Sequence, residues 1–150
     1  MEYLSEWTVS PERWLRLGYI LGASENGGRI SISSDEEDLS KLAADTIKIG
    51  VKYAGSKVYN FGEQNLPIMR HAVRFYKTGL GIFVNTIKGD NGNVLNVDLL
   101  DNRGIKVPLE NLVKREELAK AESLVTSDIT MGTVGQEVTL FAVSYTHLRA

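Results

Sequence analysis

Apolar residues recur every three to four positions in three stretches, and this spacing predicts three helices. The first, "SPERWLRLGYILG", spans 10–22, with Pro11 in its first turn and Gly22 as its predicted stop. The second, "DLSKLAADTIKIGVKYAG", spans 38–55, and the third, "PIMRHAVRFYKTG", spans 67–79. One apolar stripe is predicted along the second helix, made of Leu39, Leu42, Ala43, Ile47, Val51 and Ala54.

Short apolar runs alternate with these helices and predict strands. "RISIS" (29–33), "KVYNF" (57–61) and "LGIFV" (80–84) each stand next to a predicted helix, which indicates strand–helix–strand units in a parallel sheet. "VLNVDLL" (94–100) alternates apolar and polar residues, which favours a half-exposed antiparallel edge strand joined by a hairpin. The predicted fold is therefore a three-layer α/β/α sandwich, with a mainly parallel sheet and one antiparallel edge strand.

The pattern becomes weaker toward the C-terminus. "PLENLVKREELAKAESL" (108–124) predicts a charged helix, and "GQEVTLFAV" (135–143) is compatible with a strand. We expect one domain over residues 1–122, and a linker or the start of a next segment over 123–143. The final "VSYTHLRA" resembles translated sequencing-adaptor sequence, so 144–150 is interpreted as a non-native tail, and the natural protein is expected to continue with other residues.

Composition excludes several kinds of chemistry. The 150 residues contain no cysteine, which excludes disulfides and thiolate sites, and they contain only two histidines, His71 and His147. The formal charge of −2 comes from acidic and basic residues mixed along the chain, and no apolar run is long enough to cross a membrane. We expect a cytoplasmic protein that binds neither nucleic acid nor membrane.

Ligands of an open parallel sheet bind outside the carboxyl ends of its strands, so three predicted loops are candidate sites. They are "SSDEED" (33–38), "GEQN" (62–65) and "NTIKGDNG" (85–92). Each has an ordinary structural interpretation: a helix cap, a connector and a hairpin turn, respectively. Four acids in the first loop could hold Mg²⁺, and Thr86 in the third is a conceivable nucleophile, although no histidine lies nearby to activate it.

Four segments in the same order resemble the phosphoglucomutase and phosphomannomutase family, α/β/α domain I. "SPERWLRLGYILG" is similar to its first helix, "GRISISSDEEDLS" to its G-R-V-V-V-G-R-D segment, and "YNFGEQNLPIMRHAV" to its D-x-G-x-x-P-T-P segment. "GLGIFVNTIKGDNGNVLNVDLLDNRG" falls where the family has T-A-S-H-N-P followed by N-G-x-K. The resemblance covers residues 9 to 118.

The resemblance implies a phosphoserine enzyme that moves a phosphoryl group on a sugar phosphate, with Mg²⁺ held by the phosphoserine and by an aspartate loop of a second domain. The motif positions fall on Asn85, Thr86, Ile87, Lys88, Gly89 and Asp90. The serine position is Ile87, which has no oxygen to phosphorylate. Asp35 keeps the family's aspartate, whereas Glu37 replaces its arginine, and Asn65 and Pro67 lie in the second loop.

We therefore expect a first domain with a degenerate phosphoserine loop, with no catalytic or metal-binding residue and no cofactor in this fragment. The missing downstream domains, and a sugar phosphate, are expected partners of the full-length protein. One alternative is a structural or regulatory module of a sugar nucleotidyltransferase, because the degenerate loop resembles a variant of the family fused behind such domains. Another is a receiver-like signalling domain in which Asp35 accepts the phosphoryl group.

Overall fold

The fold is a twisted five-stranded sheet between helices, seen in a computed structural model that describes residues 11–90, 92–112 and 134–140. Four strands run parallel and one antiparallel, in the order β4-β3-β1-β2-β5. The helices are α1 (Pro11–Ser24), α2 (Asp38–Tyr53), α3 (Leu66–Phe75) and α4 (Leu109–Leu112). The strands are β1 (Arg29–Ser34), β2 (Lys57–Glu63), β3 (Leu80–Gly89), β4 (Gly92–Leu100) and β5 (Glu137–Thr139).

Two separate cores confirm the predicted three layers. On one face, α1 and α2 pack against β1, β3 and β4, and the largest fully buried side chains there include Leu17 and Ile82. On the other face, α3 packs through Met69 and Val73 against β2 and β3. Strand β3 is therefore apolar on both faces, as its continuous apolar run predicts, whereas β1 places Ile30 and Ile32 on one face and the buried serines Ser31 and Ser33 on the other.

The edge strand β4 is more buried than the alternation of its side chains predicts. From Leu95 to Leu100 every residue except Asn96 is buried, and Asp98 is only 8% exposed. The prediction of a half-exposed strand is wrong in this part because a segment after the turn covers the outer edge. The N–H of Val107 donates to the carbonyl oxygen of Leu99 at 2.9 Å.

The predicted stop of helix α1 at Gly22 is wrong, since the helix continues to Ser24. Gly22 is needed for close packing instead, since a Cβ there would lie 2.8 Å from the carbonyl oxygen of Val51 in α2. Added Cβ atoms at Gly18 and Gly50 would also overlap backbone atoms of the facing helix. The three glycines thus let the two helix backbones approach directly.

The second helix matches its prediction more closely than the third. It ends at Tyr53, and Gly55 follows with a φ of 98°, which confirms the predicted glycine stop. Leu42, however, is 55% exposed and does not belong to the apolar stripe. Helix α3 ends at Phe75 instead of Gly79, because Lys77 adopts a φ of 54° and turns the chain toward β3.

Strand β5 lies within the predicted strand 135–143 and pairs in parallel with β2. It therefore extends the sheet, although it falls in the stretch interpreted as a linker or next segment. Residues 113–133 and 141–150, which include most of the helix predicted at 108–124 and the suspected tail, lie outside the described residues. The domain boundary at 122 stays a prediction.

We expect the attachment of β5 to weaken at acidic pH. Burial acts to raise the pKa of Glu137, but the hydrogen bond from Lys52 at 2.7 Å and the charge of Lys48 outweigh it, so the pKa is lowered. A lowered pKa in the folded state stabilises β5 above the ordinary value of 4.5, and this stabilisation is lost as the pH falls through the lowered value. The measurement is the hydrogen-exchange protection of the Leu140 amide, which donates to Asn60, relative to that of Ile82.

The control for this prediction is Glu137→Gln, which removes the titrating carboxyl. In this variant we expect weaker protection of Leu140 at neutral pH and no further loss on acidification. An unchanged acid-induced loss in the variant would contradict the role of Glu137.

Candidate functional site

The three candidate segments meet at the carboxyl ends of the parallel strands, as predicted. They line one open cleft of about 550 Å³. Its lining residues are Asp35, Glu36, Glu37, Glu63, Gln64, Asn65, Thr86 and Lys88. The parallel register brings these residues together, because β1 lies between β2 and β3 and all three strands end at the same edge.

Asp35 is the structural centre of the cleft. One carboxylate oxygen accepts a hydrogen bond from the N–H of Glu37 at 3.1 Å, and the other accepts one from the N–H of Thr86 at 3.0 Å. Its own N–H donates to the carbonyl oxygen of Val84 at 2.9 Å. Asp35 therefore ties the end of β1 to the end of β3 and does not cap α2, whose N-cap is Glu37 without a side-chain hydrogen bond.

The third candidate segment is mostly strand. Asn85 to Gly89 continue β3 and pair with β4, and the pairing ends at Gly89 opposite Gly92. This confirms the hairpin but corrects the loop predicted over 85–92. The longer strand forms because every residue from Asn85 to Gly89 has an antiparallel partner in β4.

The alternation of β3 separates the candidate positions onto two faces. Thr86 and Lys88 line the cleft, whereas Ile87 between them lies on the other face, 54% exposed. Asn85 lies on the same face as Ile87, where its amide group donates to Asp98 at 3.4 Å. Thr86 and Ile87 are therefore not interchangeable, as the sequence predicts for adjacent strand residues.

A buried serine that sequence reasoning missed holds the Thr86 hydroxyl. The Oγ of Ser40 lies 2.6 Å from Oγ1 of Thr86, and Ser40 is fully buried in the first turn of α2. No sequence signal could reveal this contact, since Ser40 lies among helix residues of ordinary pattern, 46 positions before Thr86 in the chain. Thr86 is thus hydrogen-bonded through both its backbone and its hydroxyl.

The second segment is shorter than predicted and has a capping role. Gly62 and Glu63 belong to β2, which leaves Gln64 and Asn65 as the connector. The side chain of Asn65 accepts a hydrogen bond from the N–H of Ile68 at 3.0 Å and so caps α3. Pro67 lies in the first turn of α3. An N–H group at this position has no partner within the helix, so its absence in proline costs no hydrogen bond.

Acidic side chains dominate the charge of the cleft. Four carboxylates line it against one lysine. Lys88 pairs with Glu37 at 2.7 Å, and Lys41, at the side of the cleft, pairs with Glu63 at 2.9 Å. The hydrogen bond to Glu37 and the charge of that carboxylate raise the pKa of Lys88, so the lysine stays protonated at neutral pH. The cleft therefore repels a phosphate group unless a cation accompanies it.

The receiver-like hypothesis requires a strand-end lysine that reaches Asp35. Lys88 contacts Glu37 instead, and backbone N–H groups already occupy the carboxylate of Asp35. The geometry of the cleft therefore gives this hypothesis no support.

Comparison with known proteins identifies the protein family. Residues 9–125 match the family model "Phosphoglucomutase/phosphomannomutase, alpha/beta/alpha domain I", well over half of the chain. The chain belongs to the phosphoglucomutase/phosphomannomutase family. This confirms the resemblance carried by the four segments. The match also covers the hairpin that contains Ile87.

Relatives of this family member are much longer. A protein named a probable phosphoglucosamine mutase from Pyrococcus abyssi (strain GE5 / Orsay) is 24% identical over 119 residues, which cover 75% of this chain and 26% of the relative. A solved structure of a protein assigned as a phosphomannomutase from Thermus thermophilus is 22% identical with a TM-score of 0.60, covering 85% of this chain and 28% of that one.

A third relative shares the fold at lower identity. The structure of a phosphoglucomutase/phosphomannomutase family protein from Burkholderia thailandensis superposes with a TM-score of 0.68 at 14% identity, covering 95% of this chain and 32% of that one. The chain thus spans between about a quarter and a third of the length of these three relatives.

Mg²⁺ is the cofactor expected for an intact family member, and the cleft does not form a site for it. Among the described residues, no group of three or more His, Asp or Glu side chains could hold a metal ion. Asp35 is engaged by two N–H groups, and Glu37 and Glu63 by lysines. Nor does any helix within the described ranges have the length and apolar character needed to cross a membrane.

Proposed function

We propose that this chain is the first domain of a phosphohexomutase-like protein of carbohydrate metabolism whose phosphoserine position has lost its nucleophile. The observation that carries the proposal is Ile87: it falls at the serine position, its side chain is aliphatic, and it faces away from the cleft. On this proposal the chain does not turn over a sugar phosphate by itself.

The neighbouring hydroxyl supports the same proposal. Thr86 lines the cleft, but no histidine among the described residues does, and a hydroxyl nucleophile needs a base to remove its proton. The carboxylate of Asp35, which binds the backbone N–H of Thr86, accepts hydrogen bonds from backbone N–H groups through both oxygens. The acidic lining also disfavours the approach of a phosphorylated sugar. Phosphoryl transfer depends on positioning and charge neutralisation, and we expect other domains to supply both.

The test is phosphoryl transfer from labelled glucose 1,6-bisphosphate in the presence of Mg²⁺, with protein-bound label measured by intact mass and autoradiography. We expect no label on the chain, and none on Ile87→Ser, because the new hydroxyl would project from the wrong face of β3. An intact phosphohexomutase serves as positive control. Stoichiometric label on the chain that disappears in Thr86→Ala would contradict the proposal.

A second candidate is a structural or regulatory module of a sugar nucleotidyltransferase. The observation that favours it is the combination of an intact sheet and core with a serine position that is aliphatic. Selection for folding and binding, without selection for phosphoryl transfer, would produce this combination. The complete open reading frame distinguishes the candidates: an upstream nucleotidyltransferase favours the module, whereas downstream metal and phosphate loops favour the phosphohexomutase-like protein.

A further inference from the structure

The starts of β1 and β2, the helix α3 and the turn after it carry several cationic side chains. Five cationic side chains there have no carboxylate partner among residues 11–90, 92–112 and 134–140. They are Arg29, Lys57, Arg70, Arg74 and Lys77, and together with Phe75 we call them the basic face.

Contacts around Tyr59 make part of this face one continuous surface. The guanidinium of Arg29 lies 6.0 Å from the centre of the Tyr59 ring, and the ammonium of Lys57 lies 5.6 Å from it. Arg29 also donates to the carbonyl oxygen of Lys77 at 3.1 Å. These cations are therefore held in place by cation–π contacts and a hydrogen bond.

An aromatic ring projects from the same surface. Phe75, the last residue of α3, is 56% exposed. Its ring stacks on His71 at 5.7 Å between centres and meets the edge of Tyr76 at 5.0 Å, so its orientation is supported from two sides. A supported, exposed aromatic among unpaired cations is typical of an anchor residue in a protein interface.

The complementary surface lies at the other end of the same helix. Asn65, which caps α3, lines the acidic cleft, and Glu36 at the cleft is exposed and makes no salt bridge among the described residues. The ten residues of α3 span about 15 Å, so Phe75 cannot reach the cleft of its own molecule. A cleft of about 550 Å³ is large enough for a phenyl ring.

We propose that the chain associates with a second copy of itself head to tail, the basic face of one copy docking in the acidic cleft of the next. Opposite charges steer the two surfaces together, and Phe75 enters the cleft beside Glu36 and Glu63. Because the two surfaces differ, the interface is heterologous and leaves a free cleft and a free basic face at the ends of each assembly. The proposal concerns binding only and is independent of phosphoryl transfer.

The first experiment is sedimentation velocity of the 150-residue chain at two ionic strengths. At about 20 mM salt we expect concentration-dependent growth beyond the monomer, and at about 0.5 M salt, where charges are screened within a few ångströms, dissociation to the monomer. A chain that stays monomeric at the lower ionic strength, or that associates equally at both, would overturn the proposal.

Matched charge reversals identify the surfaces. Arg74→Glu alters the basic face, and Glu36→Lys alters the cleft; each should weaken association by about tenfold or more. Arg13→Glu is the control, since Arg13 is also an exposed arginine on a helix and the substitution changes the net charge equally. A loss in Arg13→Glu as large as that in Arg74→Glu would show a net-charge effect and overturn the assignment.

A mixture of the two interface variants tests the head-to-tail arrangement directly. The Arg74→Glu copy keeps an intact cleft and the Glu36→Lys copy an intact basic face, so the mixture should form dimers that cannot grow further. Circular dichroism confirms that both variants are folded. If both are folded and their mixture stays monomeric, the arrangement is wrong. Phe75→Ala should weaken association of the otherwise unchanged chain at the lower ionic strength, and unchanged association would exclude the ring as an anchor.

Discussion

Replacing Gly18 by alanine should lower the free energy of unfolding by about 3 kcal/mol, the upper end of what overpacking usually costs. The new methyl group would overlap the carbonyl oxygen of Ile47, a backbone atom that cannot rotate away. Helices α1 and α2 would have to separate, and this would loosen the core that also includes Leu17 and Ile82. Alanine has the better helix propensity by about 1 kcal/mol, which acts against this loss of stability. The packing cost is therefore the measured loss in the free energy of unfolding plus that gain.

The measurement is equilibrium unfolding in urea. The slope of the free energy of unfolding against urea concentration is compared between variants. Gly89→Ala is the matched control, because a Cβ there meets nothing closer than the Gly92 carbonyl oxygen at 3.5 Å. We expect this control to change the free energy of unfolding by less than about 0.5 kcal/mol. Equal effects of the two substitutions would mean that the close approach of α1 and α2 is not what requires glycine at position 18.

Replacing Asp35 by asparagine should destabilise the chain by about 2 to 3 kcal/mol, since hydrogen bonds to a charged group each contribute about 1.5 to 3 kcal/mol. Asparagine keeps only one acceptor oxygen, and its amide group would point N–H bonds at the N–H of Glu37 or of Thr86. The end of β3 would then lose its tie to β1. The side of the cleft that Thr86 and Lys88 form at the end of β3 would become mobile.

Two measurements check this prediction. Urea unfolding gives the loss of stability, and hydrogen exchange gives the protection of the Thr86 amide, which should fall more than that of Ile82 in the centre of β3. Glu36→Gln is the control: it removes the neighbouring carboxylate, which makes no salt bridge among the described residues, and we expect the free energy of unfolding to change by less than about 0.5 kcal/mol. If Thr86 stays fully protected in Asp35→Asn, the carboxylate does not hold β3 in place.

The helix and strand pattern was predictable because it depends on local periodicity and on short-range stop signals. Gly55 ends α2 where the sequence predicts, since its positive φ is a local requirement of the backbone. The same interpretation of Gly22 is wrong, because a glycine within a helix can also serve contact with another helix. Nothing in the neighbouring residues distinguishes these two uses.

The candidate site was predictable in position but not in conformation. Parallel topology places the ends of β1, β2 and β3 at one edge of the sheet, so the three segments had to line a common cleft. Whether 85–89 would be loop or strand depended on pairing with β4, and the Ser40 contact depended on where α2 packs. Both are consequences of contacts between residues far apart in sequence.

By itself, the sequence determined the order of helices and strands, the family, and the aliphatic residue at the serine position, because each of these is written in residue identity and local spacing. Only the tertiary structure decided that Ile87 faces away from the cleft, that Asp35 binds the N–H of Thr86, and that cations without a carboxylate partner among the described residues stand at the starts of β1 and β2 and along α3. A net charge of −2 says nothing about where charges lie, since folding brings together residues that are distant along the chain.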